Sequence, residues 1–303
     1  MKLLLYISMA LVMLPLGKAS AQLQPRFAQY VWNSLPINPA VAGKDEALSM
    51  VFTSRKMWTG VSGSPSTQNF SAHMPIPGTS LGIGALLYRD ELGVQSTTGV
   101  RLQAAYRLKT GKGHVAFGLS AGVCSMLQRW SNIVTITPDD VSFSAGDQQD
   151  TQLELGSGLF YQGKKSFLGI SSPSFSLQPN SENPGIPIRH IQAIGGTNVR
   201  LTKTIDWKPS FFLDHDAMTP WRIEITQLVE FNDLLELGMA LVPQLDWKAL
   251  LRMKVNSQFS LSYTYDHYTG ILNHLDNGSH EIGLMYLFRY NSHSPDTRMY
   301  PAR

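Results

Sequence analysis

The sequence predicts an all-β fold, and in particular a transmembrane outer-membrane β-barrel of about fourteen antiparallel strands. Three observations predict it. Only 16% of the 303 residues are charged, whereas soluble globular proteins carry about 25%. Apolar and polar residues alternate with a period of two along much of the chain, which is the period of a β-strand. Beyond residue 21 the sequence contains no run of eighteen apolar residues, and this excludes helical membrane spans.

Composition excludes several other classes of protein. Hydrophobic residues make up 43% and aromatic residues 10% of the chain, which excludes intrinsic disorder. The single cysteine, Cys124, excludes a disulfide scaffold. A net charge of +3 is far from the balance of a nucleic-acid-binding protein, so no nucleic-acid partner is expected.

Residues 1–21 have the pattern of a secretory signal peptide. Lys2 supplies the positive charge, Leu3–Leu16 the apolar stretch, and Ala19–Ala21 a small-residue cleavage site. A single membrane anchor is the alternative, but the apolar stretch is short and no stop-transfer sequence follows it. We expect a mature chain that begins at Gln22 and acts outside the cytoplasm.

Residues 22–44 form an N-terminal segment that contains Phe27, Tyr30, Trp32 and Leu35. Such apolar side chains need a protein surface to cover them. We therefore expect the segment to fold into the barrel lumen as a plug or to cap its periplasmic mouth. A simple periplasmic leader is the alternative.

Residues 45–288 are predicted to form the transmembrane barrel. Alternation is clean in Val100–Leu108, Val115–Val123, Phe259–Asp266 and the last strand, which ends at Phe288. Weaker copies bring the total to about fourteen strands of roughly nine to eleven residues, the length that a tilted strand needs to cross a bilayer. These copies lie near 46–55, 66–74, 80–89, 151–161, 165–172, 189–201, 207–214, 220–231, 234–242 and 246–255.

The faces opposite the large apolar residues carry mostly Gly, Ser, Thr, Ala and Gln. A water-soluble β-sandwich of this size would need a charged outer surface, so the pattern favours a barrel with apolar side chains in lipid and small polar ones in the lumen. Aromatic residues near strand ends suit the interfacial girdles of such a barrel, with core packing as the alternative. They are Tyr88, Tyr106, Trp207, Trp221, Trp247 and Tyr263.

Residues 289–303 continue past Phe288, where outer-membrane barrels usually end on an aromatic residue. This stretch is polar and contains Pro295 and Pro301. We expect it to be a disordered periplasmic tail.

No motif for enzyme chemistry is present. The sequence lacks the H-E-x-x-H, G-x-S-x-G and phosphate-loop patterns, so we expect no catalytic residues, no cofactor and no metal site. Acidic and His residues at strand ends are better explained as turn residues than as metal ligands. Charged residues on inward faces form either a basic lumen patch or, as we prefer, pairs with Glu154, Glu224 and Glu236; they are Arg101, Arg107, Arg252 and Lys254.

Several blocks of sequence near the two ends of the chain carry a more specific signature. After the leader, Phe27–Tyr30 and Asn33 are followed by Ile37–Gly43, which contains Asn38, Pro39, Ala40 and Gly43. Further blocks lie at Arg55–Val61, with Trp58 and Gly60, at Gly63–Gln68, and at Phe70–His73. The C-terminal blocks are Leu261–Asp266 and Gly278–Leu284, the latter with His280 and Glu281. From residue 27 to residue 288 the chain resembles the PorP/SprF family of Bacteroidetes type IX secretion system membrane proteins.

The resemblance implies a non-enzymatic outer-membrane barrel linked to protein secretion and gliding motility. It implies that the barrel anchors or presents secreted surface adhesins, or contacts the periplasmic lipoprotein ring or a peptidoglycan-associated partner. Outer-membrane lipid would surround it as a multi-pass protein. A diffusion or solute-specific channel of the porin kind is the alternative function.

The motif residues have structural or partner-docking interpretations. Asn38, Pro39 and Ala40 predict a turn, because Pro fixes φ and restricts the residue before it. Gly43 permits a left-handed bend before the first strand. Arg55 and Trp58 form either a docking surface for a partner or, with Gln68, a lumen polar network beside an interfacial Trp.

Overall fold

A computed structural model describes residues 27–133, 146–176, 190–216, 221–243, 246–269 and 277–288. The signal peptide predicted at 1–21 and the tail predicted at 289–303 lie outside these residues. Two short 3₁₀ turns cover Pro39–Val41 and Trp130–Asn132. The strands are β1 (Leu48–Lys56), β2 (Ser66–Pro75), β3 (Leu81–Leu92), β4 (Gln95–Thr110), β5 (Gly113–Gln128), β6 (Gln148–Gly163), β7 (Ser166–Ser176), β8 (His190–Thr197), β9 (Val199–Arg200), β10 (Ile205–Asp216), β11 (Arg222–Phe231), β12 (Leu235–Val242), β13 (Asp246–Lys254), β14 (Phe259–Tyr268) and β15 (Ser279–Phe288).

The strands form one closed antiparallel barrel. Each strand pairs with its sequence neighbours, β1 pairs with β15, and β10 pairs with β11 to complete the circle. The short β9 continues the course of β8 along β10, so the barrel has fourteen strands, as predicted. Closure gives each of the fourteen strands a hydrogen-bonded neighbour on both sides, as the interior of a membrane requires.

The two ends of the barrel differ. Tight turns such as Thr110–Gly113 and Gly163–Ser166 lie at the end where β1 begins and β15 ends, whereas the connection from β5 to β6 at the other end is long. Short turns face the periplasm in outer-membrane barrels and longer loops face outward. The chain therefore enters β1 from the periplasm, and the β1–β2 loop lies on the extracellular side.

The predicted alternation decides which side chains face lipid. On β4, Leu102 is 65% exposed, whereas the neighbouring Arg101 and Gln103 are 6% and 4% exposed. The same division holds on β5, where Phe117 and Leu119 lie outside and Gly118 lies inside. The outer surface is thus an apolar band, and the inner surface is small or polar.

The prediction of an aromatic girdle is wrong for Tyr88. Tyr106, Trp207, Trp221 and Tyr263 are exposed on the outer face, but Tyr88 is 6% exposed. Its hydroxyl donates a hydrogen bond to Glu154 Oε1 at 2.7 Å inside the barrel. The prediction relied on the nearness of Tyr88 to a strand end, whereas its alternation with the exposed Leu87 indicates the inward side of β3.

Helices make little contribution to this architecture. Within the described ranges, no helix combines the length and the apolar character needed to cross a membrane.

A charge on the lipid-facing side of β4 should destabilise the barrel. We expect Leu102→Arg to lower the free energy of unfolding by about 2–4 kcal/mol, because the guanidinium would lie within the hydrocarbon. Leu108→Arg, on the same face but close to the periplasmic end, should lower it by only about 0–1 kcal/mol. Urea unfolding in lipid vesicles measures both values, and equal losses would contradict the assignment of the lipid-facing surface.

Candidate functional site

Residues 27–43, here called the lumenal segment, lie inside the barrel. Its residues are almost all buried, and its polar atoms bond to inward-facing groups of many strands. The bonded strands include β2, β4, β6, β7, β11, β12, β14 and β15. The segment therefore crosses the lumen from the extracellular half, at Ala28, to the periplasmic end, at Gly43.

At its extracellular end the segment binds β14 and β15. The Ala28 backbone N–H donates to Glu281 Oε2 at 2.9 Å, and the Gln29 side-chain amide donates to the Glu281 carbonyl at 3.1 Å. The Ser262 hydroxyl donates to Gln29 Oε1 at 2.6 Å. Gly283 provides the space for this contact, because a Cβ there would lie 2.4 Å from Gln29 Oε1.

Two aromatic side chains follow. The Tyr30 ring stacks on Phe212 with centroids 4.7 Å apart, and its hydroxyl shares a hydrogen bond of 2.8 Å with Thr226 Oγ1. The Trp32 indole N–H donates to Glu236 Oε2 at 2.6 Å, and the Arg252 guanidinium lies 5.4 Å from the Trp32 ring centroid. Both rings are thus held by apolar packing and by a polar bond.

The predicted Asn-Pro-Ala turn is confirmed as the 3₁₀ turn Pro39–Val41, capped by the Asn38 side chain, which accepts from the Ala40 N–H at 2.9 Å. The Asn38 amide also donates to the Leu159 carbonyl of β6 at 3.1 Å. Leu35, Ile37 and Ala40–Ala42 belong to a buried apolar cluster, whose wall residues are Ala105, Ala116, Phe160, Ile194 and Phe212.

Glycines on the wall allow this turn to approach. A Cβ on Gly118 would lie 2.2 Å from the Ala40 nitrogen, and one on Gly158 would lie 2.2 Å from Asn38 Oδ1. Both distances are far below van der Waals contact. The turn can therefore occupy this position only because the wall residues at 118 and 158 are glycines, which have no Cβ.

At the periplasmic end, Gly43 has the predicted left-handed conformation, with φ of +76°. Its N–H donates to His73 Nδ1 at 3.2 Å, and its carbonyl accepts from Arg107 Nη1 at 2.7 Å. Asp45 lies 3.4 Å from His73 Nε2. Desolvation opposes ionisation of Asp45, but the positive charge of Lys44, the nearby His73 imidazole and a hydrogen bond with Ser49 together lower the pKa of the carboxyl below its usual value.

A network of buried ion pairs lies beside Ala28 in the extracellular half of the wall. Arg55 of β1 bonds to Asp266 at 2.6 Å and to Glu281 at 3.2 Å, and all three side chains are at most 5% exposed. Lys248 extends the network from Asp266 to Glu224. Because Arg55 is enclosed, its docking interpretation is wrong and its lumen-network interpretation is confirmed.

Further ion pairs confirm the predicted pairing of inward charges. Arg101 bonds to Glu154 at 3.3 Å and Arg252 bonds to Glu236 at 2.6 Å. Lys254 differs from the expectation, since it bonds to Glu230 at 2.6 Å. Arg107 also differs, because it binds the Gly43 carbonyl and lies 3.9 Å from Glu46. The Arg252 pair joins adjacent strands, whereas the Arg101 and Lys254 pairs each span an intervening strand, and Arg107 binds the lumenal segment. The inward cations are thus paired and do not form a separate basic patch.

Gln68 does not belong to the lumen network. It is exposed on the outer face of β2, and the inward neighbours are Thr67 and Asn69. The prediction missed this because Gln68 lies near the extracellular end of β2, where the outer face meets polar surroundings and a polar side chain no longer marks the lumen.

Trp58 and Gly60 lie in the extracellular β1–β2 loop. Trp58 has φ of +47°, an uncommon conformation for a bulky residue, and its N–H donates to Ser279 Oγ at 3.1 Å. The adjacent Thr59 exchanges backbone bonds with Gly278 and Asn277 at 2.9 and 2.8 Å. These bonds join the first and last hairpins of the barrel and hold the Trp58 backbone in place.

Gly60 has φ of +95°, and a Cβ there would lie 2.9 Å from Asn277 Nδ2. His280 faces outward beside this loop, unlike the adjacent inward Glu281. Its Nδ1 lies 2.6 Å from the Tyr263 hydroxyl, and its ring lies 5.3 Å from that of Tyr265. His280 therefore belongs to the outer aromatic surface and Glu281 to the lumen.

Among the described residues, no group of three or more His, Cys, Asp or Glu side chains has an arrangement that would hold a metal ion. Asp214 instead lies 2.6 Å from His190 and also accepts a hydrogen bond from the Gln192 side-chain amide at 2.9 Å, and Asp266 bonds to Arg55.

Comparison with protein families decides the classification. The model of the type IX secretion system membrane protein PorP/SprF matches residues 19–286. The chain belongs to the PorP/SprF family. The resemblance seen in the sequence blocks is thereby confirmed, and with the barrel fold it places this PorP/SprF protein in the bacterial outer membrane as a multi-pass protein. Curated proteins offer no sequence match to the chain.

Solved structures are similar in fold. The CymD monoaromatic hydrocarbon channel superposes with a TM-score of 0.51 at 12% identity, covering 88% of this chain and 94% of CymD. Omp33 of Acinetobacter baumannii gives 0.48 at 8% identity, covering 81% and 98%. A FadL homologue of Pseudomonas aeruginosa gives 0.48 at 10% identity, covering 89% and 96%. At these identities the likeness concerns the barrel alone.

Removing Arg55 should destabilise the barrel strongly. We expect Arg55→Met to lower the free energy of unfolding by about 3–5 kcal/mol, because it leaves Asp266 and Glu281 buried without their cation. Arg89→Met removes an exposed pair with Glu91, in which both side chains are about half exposed. This control should cost at most about 1 kcal/mol in the same urea titration. A similar loss in both variants would show that burial of the network adds nothing.

Deleting the lumenal segment should open the barrel. In planar bilayers we expect the intact protein to pass little current and the protein without residues 22–43 to show stepwise conductance, because the segment occupies the lumen. Gly118→Ala, whose Cβ would collide with Ala40, should also increase the current. Gly111→Ala has open space around its Cβ and should leave the current unchanged. Unchanged current after the deletion would exclude a plug.

Proposed function

We propose that this PorP/SprF protein is a non-enzymatic component of the type IX secretion and gliding motility machinery that anchors or presents secreted adhesins at the cell surface. Membership of the family over residues 19–286 is the observation that carries the proposal. The occupied lumen supports it, because a barrel whose interior is bonded to its own N-terminal segment suits an anchor better than an open pore.

The alternative is a porin-like channel. Solved relatives in fold include the KdgM porin and the CymD channel, but their identities are 8% and 12% and indicate the barrel alone. The lumenal segment favours the anchoring function, since at least eight strands bond to it. The conductance experiment above distinguishes the two functions.

The two ends of the barrel suit different partners. The extracellular rim presents the β1–β2 loop with Trp58, which we propose as a docking point for the secreted adhesin. The short turns at the other end would face the lipoprotein ring or a peptidoglycan-associated partner. Trp58 suits docking because it is only partly buried, and its strained backbone is held by bonds from the last hairpin.

Replacing Trp58 should separate adhesin anchoring from barrel folding. We expect Trp58→Ala to reduce surface adhesin and its co-purification with the barrel at least tenfold while heat-modifiable mobility stays unchanged, because the side chain lies at the rim outside the lipid band. Trp221→Ala changes another Trp at the extracellular end, 58% exposed at the start of β11, and should leave adhesin unaffected.

Affinity purification of the wild-type protein from the native outer membrane provides the direct test. Recovery of a large secreted adhesin or of secretion-ring lipoproteins is expected. Normal adhesin display in cells that lack this protein and any close homologue would contradict the proposed function.

A further inference from the structure

The lumenal segment is held in two different ways along its length. Residues 35–43, here called the root, pack in the apolar cluster, to which Tyr30 also belongs, and approach the wall at Gly118 through the Ala40 backbone and at Gly158 through the Asn38 side chain. Residues 27–32, here called the tip, bind β11, β12, β14 and β15 largely through side chains. The root is therefore part of the wall packing, whereas the tip resembles a ligand.

The tip binds through two aromatic anchors. Tyr30 is 1% exposed against Phe212 and Thr226, and Trp32 is 8% exposed against Leu228, Ala240 and Leu250. Each ring also makes one hydrogen bond, to Thr226 and to Glu236. Buried Tyr and Trp side chains that combine apolar packing with one polar bond are the usual energetic centres of protein–peptide interfaces.

The wall under the tip has acceptors that the tip leaves unused. Four buried oxygen atoms there lack a hydrogen-bond partner among the residues that the structure describes; they are Glu224 Oε1, Thr264 Oγ1, Asp266 Oδ1 and Glu281 Oε1. Buried unpaired acceptors are costly, so a segment with more N–H donors than the tip would bind this wall favourably.

We propose that the lumen wall of β11–β15 is a polypeptide-binding site that the tip fills in cis, and that a segment of a partner protein with two closely spaced aromatic side chains and N–H donors replaces the tip. This inference rests on the proposed function, because the partner segment would belong to the protein that the barrel anchors. The root stays in place during the exchange and keeps the other half of the lumen filled.

Tethering explains why the site needs a partner of higher affinity. The tip is joined covalently to the root through Asn33 and Ser34, and a short link gives an effective concentration of about the millimolar range at the site. A free peptide of equal affinity therefore competes poorly with the tip, whereas it should bind readily once the tip is removed. The difference in peptide affinity between the protein with the tip and the protein without it measures how fully the tip occupies the site.

The experiment uses purified mature protein in detergent and a fluorescent peptide with the sequence of residues 27–34. The receptor is a variant without residues 22–32, which retains the root, and its folding is checked by heat-modifiable mobility. We expect saturable binding to this variant and at least tenfold weaker binding to the intact protein. A peptide with Tyr30→Ala and Trp32→Ala should bind the variant at least tenfold more weakly.

A second receptor tests whether the result depends on misfolding of the deletion variant. Full-length protein with Tyr30→Ala and Trp32→Ala weakens the tip without shortening the chain, and it should also bind the peptide.

Failure of the peptide to bind either folded receptor would overturn the proposal, and so would equal binding of the two peptides. These outcomes are independent of adhesin display. Normal adhesin display in cells that lack the protein, together with peptide binding to the purified receptors, would instead contradict the proposed function alone.

Discussion

A strand of this barrel faces hydrocarbon with one set of side chains and protein with the other, and most of the architecture depends on that division. On β4 the large apolar Leu102 lies in lipid, while Arg101 and Gln103 on either side of it bind the carbonyls of Pro36 and Leu35. The inward residues of β4 are therefore surrounded by protein and not by water in the lumen. The lumen is a protein interior that the chain itself must complete.

The charges inside the barrel follow from that requirement. A carboxylate such as Glu281, 1% exposed, is stable in the wall because Arg55 and the Ala28 N–H both bind it. The lumenal segment thus occupies the lumen and also supplies a hydrogen bond that stabilises the buried ion-pair network. Arg55 and Ala28 are 27 residues apart in sequence, yet both bind the carboxylate of the same residue near the other end of the chain.

The sequence allowed prediction of the fourteen strands, because lipid on one side and small polar contacts on the other impose a period of two. It also allowed prediction of the turn at Asn38 and the bend at Gly43, whose conformations are local. The prediction for Tyr88 was wrong because it relied on nearness to a strand end, although alternation with the exposed Leu87 indicates the inward side. The prediction for Gln68 was wrong because this residue lies near the extracellular end of β2, where a polar side chain no longer marks the lumen. The contacts of Trp32 with Glu236 and of Ala40 with Gly118 were not predictable from local patterns, because each joins segments far apart in sequence. The first is a hydrogen bond between side chains, and the second is a close approach of two backbones.

The position of Ala28 has a consequence for the order of assembly. This residue leaves the ribosome and enters the periplasm before any strand, but its partner Glu281 follows it by 253 residues. Contacts between such distant positions form late, since the intervening chain must first be organised. The bond from Ala28 can form only after β15 has been synthesised and placed, so an early part of the chain must wait for the final strand before it is held.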